Sequence, residues 1–152
     1  MSYIDDESRG EGCIFCDKLK QADRRSNLVL AETGYSLVML NKYPYNNGHL
    51  LLAPKRHEKQ LSLLLAEEYQ DLCDALRKSL EVVVSALHPE GMNLGMNLGC
   101  CAGAGVEDHL HWHVVPRWNG DTNFMPVVGE VRVMPQHLLE SYDRLKPYFE
   151  AF

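Results

Sequence analysis

The run His109-Leu-His-Trp-His-Val-Val-Pro-Arg117 constrains this chain most, because its residues alternate in chemistry. Successive side chains on a β-strand point to opposite faces, so His109, His111 and His113 share one face while Leu110, Trp112 and Val114 share the other. A strand of this kind needs neighbours for its backbone and a layer over its apolar face. The pattern predicts a strand over 109–115, stopped by Pro116. A chain of 152 residues suffices for one domain. Residues 13–152 are expected to form it, with the acidic, polar 1–12 as a flexible arm.

The rest of the chain supplies the layers. Two short β-prone runs, 28–32 and 36–40, flank Thr33-Gly-Tyr35 and predict a hairpin. Asn41-Lys-Tyr-Pro-Tyr-Asn-Asn-Gly48 reads as a loop, and the apolar stretch 49–53, closed by Pro54, as a third strand. Over 65–87, Leu65, Tyr69, Leu72, Leu76, Leu80, Val83 and Leu87 recur every three or four residues and predict one long helix with that stripe buried. His88, before Pro89, is expected to cap it. The period returns to two over 92–98, with Met92, Leu94, Met96 and Leu98 on one side and Asn93, Gly95 and Asn97 on the other. A glycine-containing connection, 99–105, joins this half-buried strand to the histidine strand, with which it could pair antiparallel. A last helix is expected over 136–148 after Pro135, with Leu138, Tyr142, Leu145 and Phe149 buried and His137 on its surface. The sum is an α+β fold.

Composition narrows the function. The net charge of −6 argues against general attachment to nucleic acid. No apolar run approaches the roughly 18 residues of a membrane span, and the N-terminus has no export pattern. Five cysteines, an odd number, argue for a reducing compartment, and the protein is expected in the cytoplasm. An anionic small substrate would then need local donors, for which Lys42, Lys55, Arg56 and Arg117 are candidates beside plain surface roles.

Three imidazoles in register point to chemistry. They cannot all hold one metal: at about 3.3 Å per residue the outer two backbones lie roughly 13 Å apart, against metal–nitrogen bonds of about 2 Å. That leaves His111 free as a nucleophile, or else a site of two histidines with other ligands. A neutral imidazole attacks phosphorus, provided its second nitrogen donates to an acceptor that fixes the tautomer. A carbonyl in the 99–105 loop is the expected acceptor. Cys13-x-x-Cys16 can place two thiolates on a metal, and a redox pair or two buried thiols are the alternatives. Cys73 reads as core, and no role is assigned to Cys100 or Cys101.

The segment 109–115 matches the pattern His-φ-His-φ-His-φ-φ, where φ is apolar, and resembles the histidine-triad family. Asn41 through His49, Asn97-Leu-Gly99 and Cys13-Ile-Phe-Cys16 resemble it as well, and together the matches cover roughly residues 13 to 126. The resemblance implies a histidine-triad fold, an antiparallel sheet with one long and one C-terminal helix. It implies a two-step reaction in which His111 takes up a nucleotidyl group that water or phosphate then releases. His113 matches the residue that bonds the phosphate and leaving-group oxygen, and His49 the upstream histidine beside the phosphate. Asn41 matches a ribose contact; Asn97, Ala104 and Gly105 match the surroundings of the α-phosphate; Phe15 matches a further substrate contact. The stretch Pro116 to Pro126, with Trp118 after Pro-Arg, resembles the diadenosine tetraphosphate phosphorylase branch, although Ala104-Gly105 stands where that branch often has Gly-Ser. A structural zinc on Cys13, Cys16, His57 and His109 and a homodimer are also implied.

The leading expectation is cleavage of dinucleoside polyphosphates, with phosphorolysis slightly ahead of hydrolysis. An adenosine phosphoramidase, a nucleotide-binding module with little turnover and a metal-dependent hydrolase are the alternatives. The sequence leaves open whether magnesium accompanies the substrate.

Overall fold

The computed structural model describes residues 12–121 and 137–152. Residues 1–11 of the expected 1–12 arm, Thr122 to Pro126 of the Pro116–Pro126 stretch, Pro135 and Gln136 lie outside them. Among the described residues a five-stranded antiparallel sheet has the order β1-β2-β3-β5-β4, with β1 Val29–Glu32, β2 Ser36–Leu40, β3 Leu50–Pro54, β4 Gly91–Met96 and β5 Trp112–Arg117. The predicted hairpin is β1–β2, and the histidine strand lies inside the sheet, between β3 and the edge strand β4.

Three α-helices among the described residues accompany the sheet: α1 Ile14–Lys20, α2 Ala66–Leu87 and α3 Leu138–Leu145. On one sheet face Val38, Leu40, Leu50, Leu52, Leu110 and Val114 pack with α2 and α3. On the other, Val29, Leu37, Met39, Leu51 and Ala53 enclose Phe15 of α1, next to the histidines. The histidine face is therefore partly core.

Several boundaries differ from expectation for identifiable reasons. β5 starts at Trp112, because Leu110 donates its N–H to the Glu58 carbonyl (2.8 Å) and so lies outside the ladder. Pro116 does not stop β5. Its carbonyl accepts from Asn46 Nδ2 (3.1 Å), and in an antiparallel strand the missing N–H would face the same side. Pairing with β3 has already ended there at Leu50–Val114, so no ladder bond is lost. In β4, Leu94 is exposed, as is Leu98 beyond its end.

The long helix is found nearly as predicted, but its buried stripe is Glu68, Leu72, Ala75, Ser79, Val83 and Ala86, joined by Leu87, while Leu65 and Tyr69 are exposed. Small residues let the helix lie close to the sheet, and hydrophobicity alone does not rank them. Glu68 reaches back to accept from the Leu65 N–H (2.9 Å) and pairs with Arg56. His88 caps the far end in the left-handed region, as expected. His137 is exposed, as expected, and also caps the start of α3, accepting from the Leu139 N–H (3.3 Å). Tyr142, Leu145 and Phe149 are buried as predicted, the last in a 3-10 turn, Lys146–Phe149. Gly48 is required at the end of the 41–48 loop: its φ is +72°, and a Cβ there would lie 2.3 Å from Leu87 Cδ1.

Candidate active site and metal centre

The three histidines of the 109–113 run share one face, and each has a different partner. His111 is buried, with its ring 5.0 Å from that of Phe15 and 4.9 Å from that of His113. Its Nδ1–H donates to the carbonyl of His109 (2.8 Å). A carbonyl only accepts, so the proton sits on Nδ1 and Nε2 keeps its lone pair. The acceptor is thus not in the 99–105 loop, as expected from sequence, but two residues upstream. Burial pushes the His111 pKa below its ordinary value, which favours the neutral ring.

His113 takes the opposite tautomer. His49, fully buried, accepts at Nδ1 from the Tyr45 N–H (3.0 Å) and from Asn41 Nδ2 (3.3 Å). Its proton is therefore on Nε2, which donates to His113 Nδ1 (2.9 Å). The His113 proton is left on Nε2. Burial pushes its pKa down to about 4, with His111 adding to the effect. The Tyr45 ring covers this pair, 4.7 Å from the His49 ring and stacked 5.9 Å from that of His113. Tyr45 was not singled out from sequence; its amide is a donor that any residue would offer, and only its ring could have marked it.

Other expected residues fall in three places. Asn41 braces the 41–48 loop, accepting from the Tyr43 N–H (3.0 Å). Asn97 donates to the Gly103 carbonyl (3.2 Å) and so ties β4 to the loop that carries Ala104 and Gly105. Phe15 is fully buried behind the imidazoles. Trp118 packs on the α2 side and donates to the His88 carbonyl (3.2 Å), away from the histidine face. Three of the candidate cations are held by other groups: Lys55 by Glu32 and the Thr33 carbonyl, Arg56 by Glu58 and Glu68, and Arg117 by Asp121. Lys42 lies 5.4 Å from the centre of the Tyr43 ring.

His109 belongs to a second cluster. Its Nε2–H donates to the Pro54 carbonyl (2.8 Å), so Nδ1 is free to ligate and faces Sγ of Cys13 (3.1 Å) and of Cys16 (3.7 Å). His57 Nδ1 is 3.4 Å from Cys16 Sγ. One donor atom from each of the four lies within 4.8 Å of the others, so the set can hold a metal ion. The separations approach the edges, about 3.3–3.8 Å, of a tetrahedron with metal–sulfur bonds of about 2.3 Å and metal–nitrogen bonds of about 2.0 Å. Burial and the neighbouring Cys13 push the Cys16 thiol up, so a cation would be needed to stabilise paired thiolates. Cys100 and Cys101 are exposed and Cys73 is partly buried.

Comparison with known proteins agrees with this arrangement. A family model described as the HIT domain matches residues 23–120. An AP-4-A phosphorylase of Mycobacterium tuberculosis (strain ATCC 25618 / H37Rv) is 39% identical over 124 residues, 82% of this chain and 64% of that protein. This chain thus spans less than two thirds of that relative's length. An adenosine 5'-monophosphoramidase of Schizosaccharomyces pombe is 36% identical over 107 residues, 70% of this chain and 75% of that protein. Among solved structures, a Zn-bound histidine triad family protein from Mycobacterium smegmatis superimposes with a TM-score of 0.70 at 26% identity, covering 92% of this chain and 94% of that one.

Proposed function

The chain belongs to the histidine-triad family, and from that premise we propose that it cleaves dinucleoside polyphosphates at the α-phosphate by nucleotidyl transfer, with phosphorolysis ahead of hydrolysis. One observation carries the reading: neighbouring imidazoles are fixed in opposite tautomers, His111 with a lone pair on Nε2 and His113 with a proton there.

In the first step the His111 Nε2 lone pair bonds to the α-phosphorus as the bond to the bridging oxygen breaks. The electron pair leaves on that oxygen, to which His113 Nε2–H donates. His49 does not touch the phosphate in this scheme; it holds the His113 tautomer. In the second step phosphate or water attacks the nucleotidyl-histidine and returns the lone pair to His111. The backbone amides of Ala104 and Gly105 and the Asn97 amide are assigned to the α-phosphate, where fixed dipoles stabilise developing charge. Asn41 is assigned to the ribose. Preference for phosphate as acceptor is supported by the phosphorylase relative.

The metal is assigned as a structural zinc: two sulfurs and two nitrogens in a closed set suit that ion, and the reaction does not pass through it. Strand β4, at the sheet edge among the described residues and with Leu94 uncovered, supports a homodimer. Five free thiols support a reducing compartment such as the cytoplasm, and no described helix is long and apolar enough to cross a membrane.

The test is incubation with diadenosine tetraphosphate, with and without phosphate. ADP plus ATP formed only with phosphate supports phosphorolysis, and AMP plus ATP formed without it supports hydrolysis. If no acid-labile nucleotide becomes attached to His111, the mechanism fails. A second reading, an adenosine phosphoramidase with the same nucleophile and an amine leaving group, is favoured by the 36% identical relative.

A further inference from the structure

The polar row of β4 lies on the histidine face. Antiparallel pairing sets Gly95 opposite His113, Asn93 opposite Val115 and Gly91 opposite Arg117, and residues directly opposite project to the same side. All of these except Gly91, with Tyr45, Leu94 and Asn97, line a cleft of about 250 Å³ that extends from beside His113 along β5 to Arg117.

Gly95 is the informative residue. Glycine inside a strand weakens it and marks a bulge, a bend, or the close approach of a ligand or another backbone. The register through Gly95 is regular, and its φ is not in the left-handed region. A Cβ built there would meet nothing within 4 Å. Nothing among the described residues requires glycine at that point, and the open space over it is the cleft.

The lining chemistry indicates an occupant. Asn93 Oδ1 accepts from Arg117 Nη1 (2.9 Å), which leaves the Asn93 NH₂ as a donor. Arg117 is in turn fixed by Asp121 through Nε (2.7 Å) and Nη2 (2.8 Å), and Asp121 also accepts from Asn46 (2.7 Å). The result is an amide donor whose orientation is fixed by the Arg117–Asp121 ion pair. The position agrees: in an in-line displacement the leaving oxygen departs opposite the nucleophile, here on the side of His113. The volume is below the roughly 300–1,000 Å³ of pockets for whole small molecules, which suits a phosphate chain better than a second nucleoside.

Resting on the nucleotidyl-transfer reading, we propose that this cleft binds the phosphate chain of the departing nucleotide and selects substrates by it. Gly95→Val, which extends a side chain over the cleft floor, and Asn93→Ala, which removes the donor from an exposed site, test it. Each is assayed on diadenosine tetraphosphate and on adenosine 5'-phosphorofluoridate, whose leaving group is a single atom. The expected result is a kcat/KM for the tetraphosphate at least ~10-fold lower in both variants, about 1.4 kcal/mol of lost transition-state binding, with the fluoridate changed less than about twofold. Equal losses on both substrates, or a loss that follows a changed oligomeric state, would overturn the proposal, as would no loss on either. Asn93→Ala decides the matter if Gly95→Val fails to fold. If the unaltered chain forms no nucleotidyl-histidine from either substrate, the parent reading has failed instead.

Discussion

Stripping the metal should destabilise the fold measurably. The four donor atoms lie within 4.8 Å of one another, with sulfur–nitrogen separations of 3.1–3.7 Å, so binding an ion demands little rearrangement. The ligands come from the start of α1, the segment after β3 and the lead-in to β5, so they assemble only in the folded chain. An ion that binds the folded but not the unfolded chain stabilises it by RT ln(1 + [L]/Kd), about 2.7 kcal/mol at a hundredfold excess over Kd. For a chain of this size 1 kcal/mol moves Tm by roughly 2–4 °C. Chelation, or Cys16→Ser, should therefore lower Tm by about 5–11 °C, with zinc released at one ion per chain. Calorimetry with metal analysis measures both. A stripped protein that melts within a degree of the loaded one, or preparations that never hold stoichiometric metal, would refute the reasoning.

Other perturbations test the triad and its support. His49→Ala should lower kcat about 10²-fold with little change in KM, because it frees the His113 tautomer without removing the nucleophile; steady-state kinetics separates the two parameters. Burial depresses the pKa of His111, and that of His113 to about 4, so single-turnover activity should persist below pH 6.5, with its acid limb well under an ordinary histidine's. The same shift gives a stability slope. Below pH 6.5 the unfolded His113 takes up a proton that the folded one refuses, so its contribution, complete above 6.5, is lost as pH falls toward about 4; denaturant titrations across that window read it. Phe15→Ala should cost about 3–5 kcal/mol in chemical denaturation, since the ring is fully buried in the smaller core.

Much of this was legible from sequence, and the misses have physical causes. The limits predicted for β2 coincide with those observed, the histidine face and the loop before β3 are where side-chain pattern placed them, and the four metal-ligand candidates that the family resemblance implied come together. Backbone partners were not legible. The His109 carbonyl that sets His111 and the Tyr45 amide that sets His49 are groups every residue carries, so no side chain announces them. Helix α1, at seven residues, is too short for a periodic signal. The α2 stripe was rotated because Ala75, Ser79 and Ala86 are buried for their size while Leu65 and Tyr69 stay in solvent.

What separates the three histidines is therefore not position on the strand alone, since all share a face, but the group each ring nitrogen meets. His109 donates its Nε2–H to the Pro54 carbonyl and so presents Nδ1 to the cysteines; His111 donates its Nδ1–H to the His109 carbonyl and so presents a bare Nε2. His113 accepts a hydrogen bond at Nδ1 from His49 Nε2–H and so presents its own Nε2–H. In the proposed reading a ligand, a nucleophile and a donor thus arise from one residue type within five positions. The assignments are also linked, because the His109 whose ring faces the metal cluster is the residue whose carbonyl fixes His111. A shift of His109 would move the His111 ring it fixes, so under the proposed function an ion held by this cluster would affect turnover without entering the chemistry.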